Sequence, residues 1–147
     1  MPEKISRRQA REQAFCLLFA LSFQPDAPME ELIAQAREIG EPDKPGLDSF
    51  AVEAAARAHE HLEEIDAAIS GHLKGWRLSR VSRPSLALLR LAACELLYFD
   101  QIPPGASINE AVELAKLYGD EEAPRFVNGL LGSLARELEA KKQEPPV

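Results

Sequence analysis

The stretch that decides the fold is Leu86–Phe99, which reads LALLRLAACELLYF. Arg90 and Glu95 are its only charged residues, so a helix over this stretch is apolar on nearly every side. A helix of that composition is surrounded by other helices, whereas a helix at the edge of a core carries one apolar stripe. Pro84 suits the first turn, where its missing N–H costs no hydrogen bond. The sequence therefore predicts a central helix whose two charges, five residues apart, lie on different faces.

Apolar residues recur at spacings of three and four on both sides of this stretch, and no sustained two-residue alternation occurs. Prolines and glycines separate the helical segments. The other predicted helices run from about Ser6 to Phe23, from about Pro28 to Ile39, from Asp48 to near Gly71, from Ser107 to Gly119, and from about Glu121 to about Ala140. The predicted fold class is therefore all-α.

The last two predicted helices contain local signals of their own. Ser107-Ile-Asn-Glu110 matches a capping box, in which the hydroxyl and the carboxylate each accept a bond from a free backbone N–H. Gly119 is expected to end that helix in a left-handed conformation. Gly129 and Gly132 lie inside the last helix, where each costs about 1 kcal/mol relative to Ala. Close approach of a neighbouring helix is expected to compensate this cost.

The length and composition indicate a single globular domain over residues 1–147, with a frayed tail at 141–147. No apolar run reaches the roughly 18 to 20 residues of a membrane span, and no signal-peptide core follows the charged N-terminus. A soluble, cytoplasmic protein is therefore expected. Cys16 and Cys94 stand alone in apolar helical patterns, which favours reduced, buried thiols over a disulfide or a zinc site.

Charge is distributed unevenly along this chain of net charge -7. The segment 26–66 holds twelve acidic and three basic residues, whereas 71–94 holds five basic residues and no acidic one. The first predicted helix opens with four cations, Lys4, Arg7, Arg8 and Arg11. The positive end of a helix dipole repels such cations, and a bound anion relieves that repulsion. RNA is the anion that this pattern favours, and the acidic segment indicates a second surface for a different partner.

Three aromatic residues, Phe15, Phe19 and Phe23, follow these cations at intervals of four. Cations followed by stackable rings are typical of surfaces that bind single-stranded nucleic acid. The alternative is structural, because aromatic residues at helical spacing are usually core and basic residues often pair with acids elsewhere in a fold. Phe15 is expected in the core. For Phe19 and for Phe126, at the edge of the last apolar stripe, the sequence leaves both interpretations open.

Catalysis finds little support in the sequence. The chain contains no nucleophile elbow, phosphate-binding loop or dinucleotide fingerprint. His59 and His61 are two residues apart and face different sides of a helix, so they are poorly placed to share a metal. The sequence therefore predicts a binding protein that is not an enzyme and that needs no cofactor or metal.

Four stretches together resemble the NusB family of bacterial transcription antitermination factors, over a match from about Arg7 to Leu134. They are Arg8-Gln-Ala-Arg11-Glu12, Leu89-Arg-Leu-Ala-Ala-Cys-Glu-Leu-Leu97, Ile108-Asn-Glu-Ala-Val-Glu-Leu-Ala-Lys116 and Phe126-Val-Asn-Gly129. The resemblance implies an all-helical bundle of about six or seven helices, in two packed subdomains at roughly 1–75 and 76–140. It also implies binding of boxA RNA in nascent ribosomal RNA transcripts, together with NusE, the small-subunit ribosomal protein S10. The complex then helps RNA polymerase, with other Nus factors, to read through terminators.

The resemblance also implies an RNA-binding set. Its members are the N-terminal arginines Arg7, Arg8 and Arg11, the aromatic residues Phe19 and Phe126, and the acidic Glu122; the charge pattern adds Lys4 to the predicted RNA-binding residues. Three positions depart from the family pattern. Phe19 replaces a tyrosine and lacks its hydroxyl, Ser85 replaces a glutamate, and Gln9 replaces an arginine of the basic run.

Two other functions stay open at this stage. The same helical module occurs fused to RNA cytosine methyltransferases, so the chain could assist a separate RNA-modifying enzyme. It could also be a scaffold that binds protein only. The choice between a monomer and a homodimer is open as well, since no apolar stripe is plainly self-complementary.

Overall fold

Helix α5, Arg83–Tyr98, is the centre of the structure and packs against five other helices. The computed structural model describes residues 5–143. Over that range the chain forms seven α-helices and one short 3-10 turn, without a strand, which confirms the predicted all-α class. The helices are α1 Arg7–Phe23, α2 Met29–Ile39, α3 Ser49–Glu60, α4 Leu62–Ser70, α5, α6 Pro104–Tyr118 and α7 Ala123–Gln143, and the 3-10 turn is Leu78–Arg80.

The prediction of a central helix is confirmed by the surroundings of α5. Leu88, Leu89 and Ala93 are completely buried, and α1, α3, α4, α6 and α7 all contact this helix. Its two charges point to different neighbours, as expected. Arg90 Nε donates to Asp66 of α4 at 2.9 Å, whereas Glu95 faces α1.

Helices α1 and α5 each begin with a serine side-chain cap. Ser6 Oγ accepts from the backbone N–H of Gln9, and the Gln9 side chain accepts from the backbone N–H of Ser6 at 2.8 Å. This reciprocal capping box gives Gln9 a structural role at a position where the family pattern has an arginine. At α5, Ser82 is the N-cap and Pro84 lies in the first turn.

The single helix predicted from Asp48 to Gly71 is wrong, because the chain breaks at His61 into α3 and α4. His61 has φ -109° and ψ 26°, outside the helical region, and its ring stacks on Tyr98 with centroids 4.2 Å apart. The apolar stripe continues across the break, so periodicity alone gives no sign of it. Asp48 caps α3 as predicted, with its Oδ2 accepting from the Phe50 N–H at 2.9 Å.

The predicted capping box at Ser107 is also wrong. Helix α6 already begins at Pro104, and Ser107 is buried within it, where its hydroxyl donates to Glu95 at 2.8 Å. Gly119 ends α6 with φ -97°, which is not left-handed. A glycine is needed there for space, since a Cβ atom would collide with the side chain of Ala123.

Two expectations are wrong: the close approach of a neighbouring helix to the glycines of α7, and the burial of Cys16. A Cβ added at Gly129 meets nothing within 4 Å, so no neighbouring helix approaches this residue. At Gly132 such an atom meets only the Arg136 guanidinium at 3.4 Å. Cys16 is exposed, whereas Cys94 is buried as predicted. No helix within residues 5–143 is both long and apolar enough to span a membrane.

Helix α7 continues through Gln143, into the first residues of the tail that was expected to fray. The division into subdomains at roughly 1–75 and 76–140 stays a prediction.

Candidate nucleic-acid interface

The N-terminal arginines occupy three different environments, although they are nearly adjacent in sequence. Lys4 lies outside the described residues. Arg7 is exposed, and its guanidinium carbon lies 4.1 Å from the centroid of the Phe50 ring. Arg8 donates two hydrogen bonds to Glu110 of α6, at 2.8 and 2.9 Å. These bonds hold the pKa of the Glu110 carboxyl below its ordinary value and raise the pKa of Arg8.

Arg11 is in the interior and only 6% exposed. Its Nη2 donates to Glu95 Oε1 at 2.8 Å, and its Nε lies within 3.1 Å of both Glu95 oxygens. Ser107 adds a third donor to the same carboxylate. The guanidinium would have to leave this set of bonds to reach a phosphate, so the RNA contact expected of Arg11 stays a prediction that this geometry disfavours.

The phenylalanines of α1 form a strip that passes from core to surface. Phe15 is buried, Phe19 is half-buried, and Phe23 is exposed. Successive ring centroids are 5.8 and 5.0 Å apart, and the Arg83 guanidinium lies 4.3 Å over the Phe23 ring. Tyr118 of α6 packs on Phe15 at 4.8 Å, and burial raises the pKa of its phenol to about 12. Phe19 is thus partly available to a base, while Phe15 is a core residue as predicted.

Glu122, Phe126 and Ser85 meet at a second place, a groove of about 840 Å³ between α7 and the segment that links α4 to α5. We call it the connector groove and define it by Lys74, Trp76 and Arg80 of the linking segment and Arg125, Phe126 and Arg136 of α7. Phe126 is 37% exposed and Ser85 is buried. The structure therefore brings together the predicted residues from the second half of the chain. Arg7 and Arg11 instead line a smaller cavity, against Phe50.

Several residues of the connector groove were missed by sequence reasoning. The basic segment 71–94 is visible in the sequence, but nothing there shows that Arg125 and Arg136 face the same space. Trp76, near the start of that segment, is 66% exposed. The single tryptophan of the chain, between Lys74 and Arg77 in a segment without acidic residues, was the sequence signal that could have pointed to this groove.

The cations of the connector groove differ in their pairing from those of the core. Arg11 and Arg90 pair with acidic residues inside the protein. Within residues 5–143, none of the cations that line the groove has an acidic partner within 4.0 Å; these are Lys74, Arg80, Arg125 and Arg136. An external anion at the groove therefore displaces no internal carboxylate.

One cluster at the edge of the groove has the residue types of a hydrolytic triad. His72 Nδ1 lies 2.7 Å from Ser133 Oγ, and His72 Nε2 lies 3.5 Å from Glu137. Ser133 is in the middle of α7, where backbone N–H groups are used within the helix and none is left to stabilise an oxyanion. We therefore interpret the cluster as a polar contact between α7 and the segment that follows α4.

A family model described as the NusB family matches residues 8–136. The transcription antitermination protein NusB of Bacillus velezensis is 40% identical over 136 residues, which cover 92% of this chain and 100% of that protein. Among solved structures, T. maritima NusB has a TM-score of 0.77 at 38% identity, with coverage of 92% of this chain and 94% of that one. Another, from a complex of the antitermination factors NusB and NusE with dsRNA, has a TM-score of 0.71 at 29% identity, with coverage of 89% and 96%.

Proposed function

The chain belongs to the NusB family, and from that premise we propose that it is a transcription antitermination factor. It binds boxA RNA of nascent ribosomal RNA transcripts together with NusE, and the complex promotes read-through by RNA polymerase with other Nus factors. The observation that carries this proposal is the set of exposed aromatic residues with nearby cations on a chain similar to antitermination proteins over nearly its whole length. Its role is binding, without a reaction of its own, and it acts in the cytoplasm, where bacterial transcription takes place.

The RNA-binding surface follows from which predicted residues are exposed. Arg7 and Arg8 are exposed at the start of α1 and can reach phosphates. Phe19, half-buried, and Phe126, at the rim of the connector groove, offer ring faces to bases. Phosphate contacts fix the position of the RNA, and contacts to bases distinguish its sequence. Glu122, exposed immediately before α7, is suited to accept bonds from base amino groups.

The protein partner is expected on a different surface. Segment 26–66 carries a net charge of -9, and a basic ribosomal protein complements such a surface. A protein with net charge -7 repels RNA at long range. We therefore infer that RNA and NusE bind cooperatively, because the basic partner adds the positive field that this chain lacks.

The test is a titration of boxA RNA with and without NusE, with a scrambled RNA of equal length as the control. Tighter binding of boxA in the presence of NusE, and weak binding of the scrambled RNA, are expected. Equal affinity with and without NusE would refute the cooperative mechanism. Binding of NusE without any RNA contact would instead indicate a protein-only scaffold, and preference for an RNA substrate of a modifying enzyme would indicate the accessory function.

A further inference from the structure

We propose that the connector groove is an RNA subsite that binds one unpaired nucleotide flanking the boxA element. Its base stacks on Trp76 and its phosphates lie near Arg80 and Arg136. This inference rests on the proposed function and extends it, since it adds a contact outside the RNA-binding set predicted from the sequence. Four observations support it.

The first observation is the exposure of Trp76. Large aromatic side chains bury most of their surface in a folded chain, yet Trp76 is 66% exposed at the mouth of the groove. Arg77 and Arg80 flank it on the same short segment. A ring that stays open to solvent between cations is the arrangement by which proteins stack bases of single-stranded RNA.

The second observation is the charge of the groove. Four cations and two carboxylates, Asp120 and Glu122, line it, which gives a net charge of +2 on a protein of net charge -7. One carboxylate oxygen of Asp120 is already hydrogen-bonded, because its Oδ1 accepts from the Glu122 backbone N–H at 3.0 Å. The cations have no acidic partners within the described range, so they favour a negatively charged occupant.

The third observation is Gly129, which lies exposed inside α7 on the wall of the groove. A glycine inside a helix is unfavourable relative to alanine, and here no packing contact requires it, since an added Cβ meets nothing within 4 Å. The missing side chain widens the groove between Phe126 and Ser133, one helical turn away on either side. A close-lying ligand accounts for a glycine at this position.

The fourth observation is continuity with the proposed RNA surface. Phe126 and Glu122 belong to the predicted RNA-binding set and also line the groove. Because Trp76 and Arg80 line the same groove, an RNA strand that contacts Phe126 and Glu122 enters the space that Trp76 and Arg80 border. This continuity favours RNA over a protein segment as the occupant.

Trp76 is the only tryptophan of the chain, so its fluorescence reports directly on the groove. The experiment titrates the full-length protein at low salt with two RNAs, the boxA core alone and boxA extended by two nucleotides at each end. The extended RNA should quench Trp76 fluorescence and bind more tightly than the core. Equal affinity and equal quenching with the two RNAs would overturn the proposal.

Trp76→Ala should weaken binding of the extended RNA by roughly 5- to 150-fold, which corresponds to about 1 to 3 kcal/mol for one stacked base. Binding of the core RNA should be unchanged. Arg80→Ala should flatten the salt dependence for the extended RNA by about 0.7 in the log–log slope. Ile39→Ala and Arg37→Ala are the matched controls, because they remove an exposed apolar and an exposed basic residue from α2.

Gly129→Ala separates binding from folding. Alanine favours the helix, so the melting temperature should not fall, while the added methyl group should weaken binding of the extended RNA. Gly46→Ala, at an open loop position, is the control. If Trp76→Ala weakens NusE binding and leaves both RNAs unaffected, the groove is a protein site and the proposal fails. If wild-type protein binds neither RNA better than a scrambled sequence, the proposed function itself fails.

Discussion

Arg11 of α1 and Glu95 of α5 form a buried ion pair, with Arg11 Nη2 2.8 Å from Glu95 Oε1. Ser107 of α6 donates to the same oxygen, so one carboxylate joins three helices. Removal of two charges from water is unfavourable, and only a complete set of hydrogen bonds offsets it. The pair fixes the start of α1 against the core and leaves Arg7 and Arg8 on the outside.

Glu95→Ala should destabilise the fold by about 3 to 5 kcal/mol, because it leaves the Arg11 guanidinium buried without a partner. Urea unfolding followed by circular dichroism measures the change. Glu113→Ala, which breaks the exposed pair between Glu113 and Lys116, is the control and should cost less than about 1 kcal/mol. A loss for Glu95→Ala as small as the control would show that the buried pair does not stabilise the fold.

Arg7→Ala and Arg8→Ala should each weaken boxA binding and flatten its salt dependence by about 0.7 per lost phosphate contact. Arg11→Ala should instead lower the free energy of unfolding and leave the salt slope unchanged. Affinity measured at several salt concentrations, beside urea unfolding, distinguishes the two effects. A flatter slope for Arg11→Ala with intact stability would mean that Arg11 leaves Glu95 to meet RNA.

Glu110→Gln should strengthen binding of both boxA and scrambled RNA by a few fold. Glu110 accepts two hydrogen bonds from the Arg8 guanidinium, and a neutral amide competes less with phosphate for these N–H groups. The RNA affinity of the variant and of wild type, measured side by side, tests this. Unchanged affinity for both RNAs would mean that Arg8 keeps its partner when RNA binds.

The contribution of the Arg8–Glu110 ion pair to folding stability depends on pH. Arg8 lowers the pKa of Glu110 in the folded protein, so the stabilisation is fully present above the unfolded-state pKa. It is lost as the pH falls through the lower, folded-state pKa. The stability difference between wild type and Glu110→Gln should therefore be constant near neutral pH and disappear only in acid.

Phe126→Ala should weaken RNA binding by about 1 to 3 kcal/mol with little change in stability, because its ring lies at the rim of the groove. Phe19→Ala should lower both quantities, since its ring also packs between Phe15 and Phe23. RNA titration and thermal unfolding of both variants test this difference. A loss of stability alone for Phe19→Ala would make that ring purely structural.

The two thiols should differ in reactivity. Burial raises the pKa of Cys94 to about 12, so this thiol is almost wholly protonated and shielded at pH 8. Cys16 is exposed, although partial burial of its sulfur raises its pKa as well. A disulfide reagent should label one thiol per native chain, slowly, and the second only after unfolding in urea. Rapid labelling of two thiols in native protein would contradict the buried position of Cys94.

Helix existence was predictable because the signals for it are local. Backbone bonds join residues four apart, and the apolar pattern repeats at the same spacing, so α1, α2 and α5 have the expected extents. The break at His61 and the early start of α6 were not predictable. At the first, the His61 ring stacks on Tyr98 of another helix, and at the second, the Ser107 hydroxyl donates to Glu95 of another helix; both partners are distant in sequence.

Some residues of the candidate site were likewise predictable from the sequence, and others were not. The N-terminal cations, Phe19 and Phe126 could be named from sequence and family resemblance, whereas the connector groove could not. Its two walls come from segments about fifty residues apart, and only their packing brings Arg136 and Trp76 to the same groove.

The sequence by itself determined an all-helical chain and its central helix, because composition and periodicity act over a few residues, and four short stretches of it carry the resemblance to the family. The tertiary structure alone decided which arginine of α1 is internal and which are external. Arg7, Arg8 and Arg11 have the same side chain and the same helical setting. Their roles differ because Glu95, eighty-four residues away in sequence, forms its ion pair with Arg11. A local sequence pattern contains no information about a partner so distant in the chain.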